Sequence, residues 1–146
     1  GIMRGRFNPL DGQLYALGMF SWAGNKQDAG AFNRIRYTGK DLLVPTDLKS
    51  ATDQLHLSFS VALADTKASD FKIVSWHIER TKNYGSRHQH EKVLSVSHAK
   101  LSADRKSVIL TIPELKATRC MSIKAQLKTN KGRAFNFEIN NTLHEL

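Results

Sequence analysis

At 146 residues, 40% hydrophobic and 24% charged, with three prolines and nine glycines, the chain has the material for a packed core and too little Pro and Gly for disorder. No apolar run approaches the roughly 20 residues of a membrane helix, so no membrane span is expected. The net charge of +9 is scattered, often alternating with apolar residues, with no arginine-rich block, zinc-finger spacing or recognition-helix pattern; specific nucleic-acid binding is not expected.

In chain order, Asp11-Gly12 is a tight-turn pair feeding a strand over 13–19. A glycine-bearing loop with Phe20 and Trp22 follows, then a second strand over 32–38 and a break at Gly39. Residues 1–40 therefore read as a β-hairpin extension. Residues 41–51 read as a connection containing Pro45, and 54–61 alternate Leu55, Leu57, Phe59 and Val61 on one face. Residues 62–70 are a loop or one helical turn. In 71–80, Val74, Trp76 and Ile78 are in register, which makes Trp76 a core anchor. Residues 81–92 are polar and aperiodic, the longest loop.

Short strands then follow at 93–97 and 107–112, separated by a turn at 101–106. Met121, Ile123, Ala125 and Leu127 share a face with Cys120 on the other, Thr129–Arg133 reads as a hairpin turn, and Phe135, Phe137 and Ile139 close the set. The single cysteine cannot form an internal disulfide, and its simplest role is a small side chain packed between layers. No stretch longer than about ten residues shows a helical apolar period. The expected fold is all-β: an antiparallel immunoglobulin- or fibronectin-like β-sandwich over 41–146 with the hairpin at 1–40 before it.

The ordering of several motifs resembles one family. Gly5-Arg6-Phe7-Asn8-Pro9, Asp11-Gly12-Gln13-Leu14-Tyr15, Gly18-Met19-Phe20-Ser21-Trp22-Ala23-Gly24-Asn25 and Arg34-Ile35-Arg36-Tyr37-Thr38-Gly39-Lys40 are similar to the last propeller segment of large secreted bacterial proteins. Those proteins are built from a sugar-dehydrogenase-like β-propeller, often carried with cytochrome c modules. Leu57-Ser58-Phe59-Ser60, Trp76 with Asn83-Tyr84-Gly85-Ser86, Leu101-Ser102-Ala103-Asp104 and Thr142-Leu143-His144 resemble the immunoglobulin-like module that follows it. The resemblance implies a periplasmic or extracellular setting, a non-catalytic accessory position, and partners within the same polypeptide, propeller and cytochrome c-like. Export would rest on a signal upstream, since 1–20 hold no apolar leader core. The chain has no Cys-x-x-Cys-His haem site, so redox activity is not carried over and no cofactor is expected.

Three chemistries remain for the residues themselves. His88 and His90, at i and i+2 on an extended segment, would face one side and could share a metal, with Glu91, His98 or His144 as a third ligand. The competing reading is a solvated polar loop. His56 and His77 are most simply surface positions. Ser86 near His88 lacks the strand–turn–helix setting of a nucleophile elbow, and the carboxylates are scattered, so catalysis is not expected. Sugar binding needs exposed aromatic platforms with polar neighbours. Trp22, Trp76, Tyr84, Tyr37 and Phe20 are the candidates, Trp22 and Tyr84 foremost, with Asn83, Arg87 and His88 near Tyr84 and a polysaccharide as the ligand. Against this, Tyr84 beside Gly85 could instead pack onto the sandwich end.

Overall fold

The computed structural model describes residues 2–19 and 30–145, and the chain divides into two units, Gly1–Lys40 and Asp41–Leu146. In the first, β1 (Ile2–Phe7), β2 (Leu14–Met19) and β3 (Gly30–Ile35) form an antiparallel sheet in the order β1-β2-β3. The expected hairpin is thus a three-stranded meander. Within this unit the three strands are ladder partners of one another.

The β1–β2 turn is built by its polar residues. Gly12 sits at φ +66°, and its N–H donates to the Asn8 carbonyl at 2.8 Å. Asp11 Oδ1 accepts from the Gln13 N–H at 3.0 Å and Oδ2 from the Tyr15 hydroxyl at 2.8 Å. Those bonds, the Gln13 N–H foremost, hold the Asp11 carboxyl below its ordinary range. Among the described side chains of this unit only Ala16 is fully buried, while Phe7, Leu17 and Phe32 are exposed.

The second unit holds eight strands: β4 (Pro45–Ala51), β5 (Gln54–Phe59), β6 (Phe71–His77), β7 (Gln89–Leu94), β8 (His98–Leu101), β9 (Ser107–Thr111), β10 (Thr118–Lys128) and β11 (Ala134–Leu143). They form two antiparallel sheets, β4-β5-β9-β8 and β11-β10-β6-β7. In immunoglobulin lettering these are A-B-E-D and G-F-C-C′. The all-β sandwich read from the sequence is what the chain forms. One face of each sheet supplies the core: Leu55, Leu57, Val108 and Leu110 from one, Ile73, Met121, Ile123 and Leu127 from the other.

Register corrects the expected phase of 71–80. Directly opposed residues in an antiparallel pair project from the same face. Ile73 opposes Ile123 on one side and Leu94 on the other, all buried. Phe71 and Ile73 therefore point inward, and Val74 and Trp76 point out. Trp76 is a half-buried residue of the outer face, not a core anchor, and Ile78 is half exposed beyond the strand. His77 is exposed as expected, although its phase is the inward one. Cys120, opposite Trp76, lies half-buried on the outer face rather than between the layers.

Residues 60–70 cross from one sheet to the other, and a single turn of 3-10 helix (Ala68–Asp70) ends the passage. Leu63, fully buried, is clasped from two directions. Its N–H donates to the Arg105 carbonyl at 2.9 Å, and its carbonyl accepts from Arg105 Nε at 2.6 Å. Arg105 holds φ +60°, a left-handed conformation that lets its side chain and backbone meet the same residue.

On the outer face of the β10–β11 pair, the buried Ser122 hydroxyl donates to Glu138 Oε1 at 2.8 Å and Lys124 Nζ lies 3.3 Å from the same oxygen. Ser122 first, and Lys124 after it, hold the Glu138 carboxyl below its ordinary value of 4.5. A carboxyl depressed on folding stabilises the fold above its unfolded pKa, and that contribution is lost as pH falls through the folded value. Ser122→Ala is expected to lower the urea midpoint more at about pH 7 than at about pH 3. An equal loss at both would mean that the hydroxyl does not favour the ionised form.

Candidate binding loop between β6 and β7

The segment 78–88 leaves β6 and returns as β7, and its root is set by an irregular pairing. Ser75 opposes Lys92 and His77 opposes Gln89, so His90 and Glu91 together face the single residue Trp76. This is a β-bulge, with His90 at φ +52° taking up the extra residue. The bulge separates the two imidazoles expected to share one side. His88 stacks on the Trp76 indole, with ring centroids 4.1 Å apart and planes at 17°. His90 instead meets the His77 ring edge-on at 6.4 Å.

Of the third ligands considered, Glu91 comes close: its Oε2 lies 3.0 Å from His88 Nδ1, forming the loop's one imidazole–carboxylate pair among the described residues. Among the described residues no group of three or more His, Cys, Asp or Glu is placed to hold a metal ion.

Above this root the chain is tied to itself. The Glu79 N–H donates to Ser86 Oγ at 3.0 Å, and the Ser86 hydroxyl donates to the Arg87 carbonyl at 2.9 Å. That hydroxyl is thereby engaged in shaping the loop. Gly85 at φ +86° reverses the chain where a side chain would be strained. The reversal throws Tyr84 outward with a relative exposure of 105%, so it does not pack onto the sandwich end. A cleft of about 500 Å³ opens beside it, lined by Thr81, Asn83, Tyr84, Ser86, Arg87 and Gln89 among others.

Asn83, Tyr84 and Arg87 are thus brought together around one cleft, while His88 belongs to the root below. Trp22 lies outside the described residues. Sequence reading counts Trp76 among the aromatic platforms but sets it in the core; its outward phase supplies the surface on which His88 rests. Its only signal was cross-strand: the apolar 71–73–94 set that competes with 74–76–78 for the core. Comparison with protein-family models, with curated proteins and with solved structures found no match to this chain.

Proposed function

We propose that this chain is a non-catalytic accessory module of a secreted multidomain protein, and that the 78–88 loop is its contact surface, with a carbohydrate as the ligand. The observation that carries the reading is the Tyr84 ring, wholly exposed on a loop whose base is held by the Trp76–His88 stack and the His88–Glu91 pair. An aromatic ring held in water offers a low-entropy stacking surface, and a rooted loop loses less freedom on binding than a loose one. Engagement of the Ser86 hydroxyl by Glu79 and Arg87 supports a role without catalysis.

The setting follows from the resemblance to propeller-bearing proteins, with propeller and cytochrome c-like domains of the same polypeptide as neighbours. A sheet with Ala16 as its one fully buried described side chain, and with exposed Phe7, Leu17 and Phe32, supports a first unit that belongs to a larger β-assembly. Affinity electrophoresis through gels cast with a panel of neutral and acidic polysaccharides tests the ligand. At least one gel is expected to retard the chain, and Tyr84→Ala to weaken that retention about tenfold, or about 1.4 kcal/mol. Migration unchanged in every gel, or retention indifferent to Tyr84, would remove the carbohydrate reading.

A further inference from the structure

We infer that the cleft beside Tyr84 selects a polysaccharide bearing carboxylates, a polyuronate, over its neutral counterpart. This rests on the carbohydrate reading and adds the ligand's charge. Arg80, Lys82 and Arg87 are all exposed on the loop. Among the described residues none of the three has an acidic side chain within ion-pair distance, because the five pairs formed use other cations. Of the carboxylates nearby in sequence, Glu91 of β7 is taken by His88 at 3.0 Å, and Glu79, within the loop, forms none of the five pairs. A cleft with an exposed ring and uncompensated cations around it has a definite complement.

A sugar presents an apolar C–H face, a rim of hydroxyls and, in a uronate, one carboxylate at the ring edge. Tyr84 suits the first. The side chains of Thr81, Asn83 and Gln89, which line the same cleft, suit the second. Arg87, also in the lining, offers a planar fork that accepts a carboxylate through two parallel hydrogen bonds, stronger than neutral ones. The cleft volume of about 500 Å³ falls within the range of about 300–1,000 Å³ typical of small-ligand sites. Lys82 and Arg80, exposed on the same loop, add to its positive charge.

The test uses the intact chain with polygalacturonate and with its fully methyl-esterified form, which keeps the sugar rings and removes the charge. Titration calorimetry at moderate salt is expected to show at least tenfold tighter binding to the free acid. Arg87→Ala should remove about tenfold of that affinity and weaken binding of the ester by much less, so that the preference for the acid falls. Lys131→Ala, which deletes one charge in the turn at the far end of β10, should change neither. Equal binding of acid and ester, abolished by Tyr84→Ala, would overturn the charge preference and leave the sugar reading standing. Binding of neither polymer, nor of any other polysaccharide, would remove both. An equal loss from Lys131→Ala and Arg87→Ala, or full displacement by single-stranded DNA of matched charge, would show general polyanion attraction and overturn the inference.

Discussion

Ile123→Ala is expected to destabilise the sandwich by about 2–5 kcal/mol. Ile123 has no exposed surface and stands at the middle of β10, opposite Ile73 on one side and Ile139 on the other. Both cross-strand neighbours and the facing sheet lose contacts when three carbons are removed. The strand's long ladder, hydrogen-bonded on both edges from Met121 to Ala125, leaves the backbone little freedom to collapse into the gap. For a domain of this size each kcal/mol moves the melting temperature by roughly 4–8 °C, so the variant should melt well below the parent. Lys128→Ala, exposed on the same strand, should stay within about 0.5 kcal/mol of it. A loss below about 1 kcal/mol for Ile123→Ala would mean that this side chain does not lie between the sheets.

Arg105→Ala is expected to cost about 1–3 kcal/mol, although the residue is only partly buried. Its Nε–H meets the Leu63 carbonyl at 2.6 Å where the chain crosses between sheets, and Leu63 itself is fully buried. Removing the guanidinium leaves that carbonyl without its charged donor. The accompanying Nη2–Asp65 pair adds little, since Asp65 is almost wholly exposed. Alanine also keeps the left-handed backbone that Arg105 adopts, with no side-chain bond to compensate for it. Arg105→Gly loses the same bond and relieves that strain, so it should recover part of the loss. Chemical unfolding of the three proteins reads both effects; glycine less stable than alanine would contradict the backbone assignment.

How much of this was legible beforehand differs strand by strand. β5, β9 and β10 are readable because their buried residues alternate without interruption, as in Leu55-Leu57-Phe59 and Met121-Ile123-Ala125-Leu127. β4 is not, because it lies at a sheet edge and only Leu48 packs on the core, so 45–51 read as a connection. β1 and β8 were missed for a related reason, being short edge strands. β7 was half seen: Leu94 marks its end, but Gln89–Val93 are exposed or nearly so and show no period.

The phase of β6 was ambiguous at source, since Phe71, Ile73, Val74, Trp76 and Ile78 supply apolar residues to both faces. The tie is broken by Ile123 and Leu94 on neighbouring strands, which local periodicity does not register. The candidate site is harder still. The residue types of 83–88 are visible as a polar loop, yet the exposure of Tyr84 follows from the turn at Gly85, and the parting of His88 from His90 follows from a bulge.

That bulge divides the β6–β7 connection into two regimes of evolutionary tolerance. Insertions or deletions within 80–87 would lengthen or shorten a solvent-borne excursion whose closure entropy changes slowly with length. Regular pairing with every residue kept and no bulge would instead move the strand's alternation by one step, carrying the 88 imidazole to the opposite side of the ribbon from the indole. Homologous lineages should therefore diversify the excursion freely while keeping, wherever the bulge persists, a residue at position 90 that tolerates the left-handed backbone.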